Sequence, residues 1–131
     1  MVKKIVVSGL VVFILWSVLG FLMNGVILRS AYEATLALWR PMAEMKTGLM
    51  YATTLIQALA FVSIFAWLAS EKTLGRGIQF GLLYGVAVGI GMGYGTYSVM
   101  PIPYHMALVW FLGTLVQTIL GGILAALIMR K

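Results

Sequence analysis

The chain has no cysteine, no aspartate and a single histidine. Without cysteine there is no disulfide, no thiolate metal centre and no cysteine nucleophile. Three carboxylates remain, Glu33, Glu44 and Glu71, and none lies within a long apolar run. Paired carboxylates, a nucleophile–base pair and a phosphate-binding loop are all missing, so no catalytic residue is assigned and an enzyme is not expected. Proton-coupled transport is disfavoured too, because such machines carry ionisable groups inside their spans. Charged residues make up 9% of the 131 residues and hydrophobic ones 63%, against about 25% and about 45–50% in soluble domains. A chain this short exposes too large a share of its surface to hide that much apolar area from water. Lipid is therefore the expected solvent for a single membrane domain over residues 1–131.

Four stretches reach the length of about 20 mostly apolar residues that a spanning helix needs. They cover 5–28, 48–70, 77–100 and 106–129. The opening Met1-Val-Lys-Lys and its apolar run look superficially like a signal peptide. The run outlasts the ~7–15 residues of a signal core and no A-x-A-like site follows, so it reads as a retained span. No stretch alternates as membrane barrel strands do. The expected fold is an all-α membrane protein, a bundle of four transmembrane helices.

The net charge of +6 is read as membrane orientation and not as nucleic-acid binding, because the basic residues sit at the ends of apolar runs. Lys3, Lys4, Lys72, Arg76, Arg130 and Lys131 fall on one side; Arg29, Arg40 and Lys46 fall on the other. The excess places both termini in the cytoplasm. In the first, outer connection, Ser30-Ala-Tyr-Glu33 has the form of a capping box and predicts a short helix from Ala31. Tyr32, Leu36 and Trp39 would share one face of it until Pro41. That helix is expected to lie along the outer membrane interface, where its aromatics suit the headgroup boundary; a connector folded against the bundle is the plainer alternative.

Glycine is abundant where helices usually avoid it. Gly77, Gly81, Gly85, Gly89 and Gly93 recur every four residues through the third span, with Gly91 and Gly95 added near its end. Each costs a helix in water roughly 1 kcal/mol relative to alanine, so seven in one span point to close helix packing, which lipid-embedded helices achieve with small residues. Four residues advance a helix by about 400°, so the track drifts by roughly 40° per step and forms a slanted groove about 24 Å long. One straight partner is expected to touch two or three of these glycines and leave the rest for a second partner. The fourth span offers Gly113, Gln117 and Gly121, with Ala125, as the matching internal face, and Gln117 would bond across it. The alternating glycines at 89, 91, 93 and 95 should weaken or bend the helix there. Gly93-Tyr94-Gly95 resembles a potassium-filter triplet, yet it lies inside a stretch that is needed to span the membrane.

Two further constellations carry chemistry. Asn24, Gln57, Gln79 and Gln117 are uncharged hydrogen-bonding residues within or near the spans and together define a possible polar path. Met42, Met45, His105 and Met106 fall toward the outer side, and thioether with imidazole suits Cu(I). The plainer account of the methionines is adaptable packing.

The Trp39-Arg40-Pro41 connection, the glycine-rich third span with Tyr94 and Tyr97, and Trp110…Gly113…Gly121-Gly122 in the last span together resemble small four-span bacterial inner-membrane proteins of unknown function. The resemblance implies a bacterial inner (cytoplasmic) membrane and brings no activity with it. Three functional expectations follow. The first is a structural or accessory subunit that packs through its glycine faces against itself as a homo-oligomer or against other membrane protein subunits, with no cofactor. The second is an oligomeric small-solute channel or carrier. The third is outer-side copper handling, and a bound lipid or pigment is a further candidate to fill the groove.

Overall fold

The computed structural model describes residues 1–39 and 44–130. Its helices are α1 (Val2–Ile27), α2 (Arg29–Ala34), α3 (Thr47–Leu68), α4 (Leu74–Val99) and α5 (Tyr104–Met129). All but α2 are long and apolar enough to cross a membrane, and there is no strand among the described residues. A span in lipid has to satisfy its backbone internally, which a helix does without neighbours. Two spans start up to a turn before their apolar runs. α1 takes in Lys3 and Lys4, and α4 begins at Leu74 because Thr73 Oγ1 caps it, accepting from the Arg76 N–H at 3.2 Å.

The first and last spans end together, with Lys4 Nζ donating to Met129 O at 3.4 Å. Lys72 and Arg130 border the same shallow hollow. One end of the bundle therefore gathers Lys4, Lys72 and Arg130.

The most extensive contact joins α4 to α5. Gly77, Gly81, Gly85, Gly89 and Gly93 are all buried, and all five face α5. Running antiparallel, Gly93 meets Ala107, Gly89 meets Phe111 and Thr114, Gly85 meets Leu115 and Thr118, Gly81 meets Thr118 and Ile119, and Gly77 meets Gly122 and Ala126. A methyl added at Gly81 would lie 2.7 Å from Ile119 Cα, and one at Gly93 would lie 2.6 Å from Ala107 O. Backbone against backbone leaves no room for a side chain there.

This corrects the expectation that one partner leaves part of the track unfilled. The contact row on α5, Ala107, Phe111, Leu115, Thr118, Gly122 and Ala126, also advances by about four residues per step. Both rows drift in the same sense, so the helices wind around each other instead of crossing once. The face of α5 is corrected as well. Gly113 seats Met23 of α1, Gly121 lies under Trp16 and Phe61, and Gln117 bonds to α1. These three residues face away from the glycine track.

α1 packs on both α3 and α5, with Leu59 seated on Gly9. α3 and α4 meet chiefly through rings: Phe61 lies 4.7 Å from Phe80 and 4.9 Å from Tyr84, and Phe65 lies 5.7 Å from Phe80. These contacts sit toward the basic end of the bundle.

The two remaining departures are local. Gly91–Gly95 forms a π-helical turn, the expected weak point of α4, and the helix resumes beyond it through Val99. Leu22–Ile27 in α1 is a second π turn, and nothing in the hydropathy signalled it. α2 begins at Arg29, not at Ala31, and no side chain caps it. Glu33 binds Arg29 at 3.3 Å in place of closing a capping box. The helix breaks at Thr35, so Tyr32 and Trp39 pack edge to face at 5.0 Å while Leu36 is exposed. Leu28 and Ala31 are buried with Met23, Ile102, Met106 and Trp110, so the start of this connector packs on α1 and α5.

Candidate functional site

The four spans enclose a cavity of about 200 Å³. Trp16, Gly20, Met23 and Asn24 line it from α1, and Thr54 and Gln57 from α3. Tyr84, Val88 and Met92 complete it from α4, with Thr114, Gln117 and Thr118 from α5. Three of the four residues expected to form a polar path, Asn24, Gln57 and Gln117, are thus brought to one space. The fourth is not. Gln79 sits in the first turns of α4, exposed, accepting from Arg76 Nη1 at 2.9 Å. The Phe61, Phe65, Phe80 and Tyr84 rings stand between that end and the cavity.

Each wall owes its polarity to a different local device. On α5, Thr114 and Thr118 donate back to Trp110 O at 2.7 Å and Thr114 O at 2.9 Å, which satisfies each hydroxyl proton within the helix. Their oxygens keep a lone pair for a guest. Between α1 and α5 a reciprocal pair ties Gln117 to Trp16: Gln117 Nε2 donates to the Trp16 backbone O at 3.2 Å, and Trp16 Nε1 donates to the Gln117 backbone O at 2.7 Å. This fixes the Trp16 indole at the back of the cavity and leaves Gln117 Oε1 unengaged.

Asn24 governs the end of the bundle opposite the Lys4–Lys72–Arg130 hollow. Its Oδ1 accepts from Tyr32 OH at 2.7 Å and from Trp110 Nε1 at 3.0 Å, and its Nδ2 donates to Gly20 O at 3.1 Å. One side chain in a π turn therefore joins α1, α2 and α5. Trp39 extends the cluster, 6.2 Å from Trp110, with its Nε1 donating to Thr35 Oγ1 at 2.9 Å. Burial raises the Tyr32 phenol above its ordinary pKa, so it stays a neutral donor.

The front of the cavity is built differently from the back. Trp16, Met23, Thr114 and Thr118 are buried, whereas Gln57 is exposed and Met92 is 43% exposed. The cavity therefore opens between α3 and α4, above the point where the phenylalanine rings hold them together. Neither the Gln57 amide nor the Tyr84 hydroxyl has a hydrogen-bond partner among the described residues. Gln57 is ten residues into α3, about 15 Å from its start at 1.5 Å per residue. That is the middle of a span.

The expected metal ligands are not brought together. Met106 is fully buried in the apolar cluster around Met23, Leu28 and Trp110, while its neighbour His105 is exposed. Met45 is exposed at the approach to α3, and Met42 lies outside the described residues. No group of three His, Cys, Asp or Glu side chains gathers among the described residues.

Tyr84, Thr54, Thr114, Thr118, Trp16 and Met92 are cavity residues that the sequence reading missed. A usable signal existed for the threonines, which sit at four-residue spacing beside Gln117. Tyr84 directly precedes Gly85, and its row on α4, with Val88 and Met92, runs alongside the glycines toward the cavity. The chain matches no known family model, no curated protein and no solved structure.

Proposed function

We propose that this chain is a membrane binding protein of carrier type that holds a neutral, hydrogen-bonding small molecule between its four spans. One observation supports this above the others: Asn24, Gln57 and Gln117, from three different helices, converge on one cavity without an ionisable Asp, Glu, Lys, Arg or His among its lining residues. Polar side chains in hydrocarbon are costly, and they mark binding sites and pathways when they face a common space. A through-channel is less well supported than a carrier, because aromatic rings fill the bundle between the cavity and Gln79. A structural subunit that docks through the glycine track is less well supported, because α5 covers Gly77, Gly81, Gly85, Gly89 and Gly93.

We place the protein in a bacterial inner membrane with both termini cytoplasmic. The clustering of Lys4, Lys72 and Arg130 at one end supports this orientation.

The reading is tested by photolabelling the purified protein in phosphatidylcholine nanodiscs with two diazirine alcohols, one of butanol length and one of hexadecanol length. At least one should label cavity residues saturably. Val88→Phe, which fills the cavity from α4, should reduce that labelling several-fold. If neither alcohol labels the cavity above the level at lipid-facing Val86, the reading fails.

A further inference from the structure

We propose, on the strength of that reading, that the ligand is a membrane-dissolved amphiphile whose uncharged head enters sideways between α3 and α4 while its hydrocarbon tail stays in the bilayer. The slot is at membrane depth. Its rim residues, Gln57 and Met92, are exposed where the surrounding medium is lipid, whereas its back wall of Trp16, Met23, Thr114 and Thr118 is sealed.

Three unengaged groups define what the head must offer. The Gln57 amide presents a donor and an acceptor from α3, Tyr84 presents a hydroxyl from α4, and Gln117 presents Oε1 from α5. An amide left unpaired in hydrocarbon is costly, so Gln57 at mid-span is poised for a partner that arrives from the lipid. With no charged side chain in the lining, an ionised head would be desolvated without compensation. A neutral hydroxyl can donate to Gln117 Oε1 and accept from the Gln57 amide or the Tyr84 hydroxyl, so it meets the same walls without that loss. Size agrees with this. At about 200 Å³ the cavity is smaller than the ~300–1,000 Å³ pockets that enclose drug-sized ligands. It has room for a head and not for a whole lipid.

The structure also shows how the slot is held. Below it, Phe61 and Phe65 clasp Phe80 and Tyr84. Beside its upper part, α4 passes into the Gly91–Gly95 π turn and α1 into the Leu22–Ile27 π turn. Such turns recur at functional sites in helices. Both contribute lining residues to the cavity, Met23 and Asn24 from α1 and Met92 from α4.

The test uses the full-length chain in nanodiscs with the hexadecanol-length diazirine probe, and unlabelled hexadecanol, stearic acid at pH 9 and glycerol as competitors. The expected result is labelling on α3 and α4 at the slot rim, suppressed at least five-fold by hexadecanol and little by ionised stearate or glycerol. Gln57→Leu should cut the labelling at least five-fold with no loss of thermal stability. Tyr84→Phe should cut it by a smaller factor, and it serves as the second variant if Gln57→Leu does not fold. Saturable cavity labelling by the butanol-length probe, suppressed by glycerol and unaffected by hexadecanol, would overturn lateral entry and leave a soluble-ligand site standing. Stearate competing as well as hexadecanol would overturn the neutral-head assignment. A monomeric Gln57→Leu protein from an oligomeric parent, with unchanged labelling, would assign Gln57 to an interface between copies and overturn the proposal. No cavity labelling by either probe overturns both readings.

Discussion

The two sides of α4 teach opposite lessons. Toward α5 it presents five glycines, and two backbones close on each other along the whole span. Toward α3 it presents Phe80, Tyr84, Val88 and Met92, and the helices meet chiefly where the rings pack. Lipid supplies no hydrophobic pressure between helices, so contact depends on the shape of each face. A smooth glycine face admits a partner everywhere. A face of large side chains admits one only where the partner also has rings, and above that level it leaves a gap. The gap is where the polar groups are.

The largest effect expected from breaking this contrast is at the seam. Gly81→Leu drives a branched side chain into Thr118 O and Ile119 and should cost at least about 3 kcal/mol, read as loss of the folded species in a detergent unfolding titration. Next is the clasp. Phe61 is fully buried among Trp16, Phe80 and Tyr84, and Phe61→Ala should cost about 3–5 kcal/mol and let α3 separate from α4. The same titration reads the loss. Crosslinking between cysteines introduced at exposed Ile64 and Leu83 should become slower and less selective.

At the α1–α2–α5 junction, Asn24→Leu leaves the Tyr32 hydroxyl and the Trp110 indole without their acceptor and should cost about 1–3 kcal/mol. Near-ultraviolet circular dichroism would register the freed Trp110 indole. The smallest effect is at a glycine off the seam. Gly91 has nothing within 4 Å of an added methyl, so Gly91→Ala should be neutral or stabilising by up to about 1 kcal/mol. A large loss at Gly91 would mean that the track packs on more than one face.

The spans were legible because crossing a membrane requires only length and apolarity, and local composition states both. The glycine track was legible as packing for a similar reason. Which face of α5 meets it was not, because Gly113, Gln117 and Gly121 form one four-spaced row and Leu115, Thr118 and Gly122 another beside it. Trp16 decides between them. Its indole needs the space over Gly121 and bonds to the Gln117 carbonyl, which turns the second row toward α4.

Asn24, Gln57 and Gln117 could be picked out as polar groups in apolar runs, and Gln79 was picked out on the same ground. Only the fold shows that Gln79 lies a helix turn from the end, beside Arg76. The Asn24 junction joins residues from α1, α2 and α5. No periodicity encodes that, because the partners are brought together by the π turn and the folded connector.

The central claim is that α4 is sealed against α5 and open toward α3 above the phenylalanine clasp. Its most direct test is a pair of spin-label distance measurements in nanodiscs, made simple by the absence of native cysteine. One pair, at exposed Ile78 and Leu127, spans the seam; the other, at exposed Ile56 and Ile90, spans the slot. The account predicts a narrow seam distribution that hexadecanol does not move, and a broader slot distribution that shifts and narrows when hexadecanol is added. A slot distribution as narrow as the seam's and unmoved by hexadecanol would contradict it.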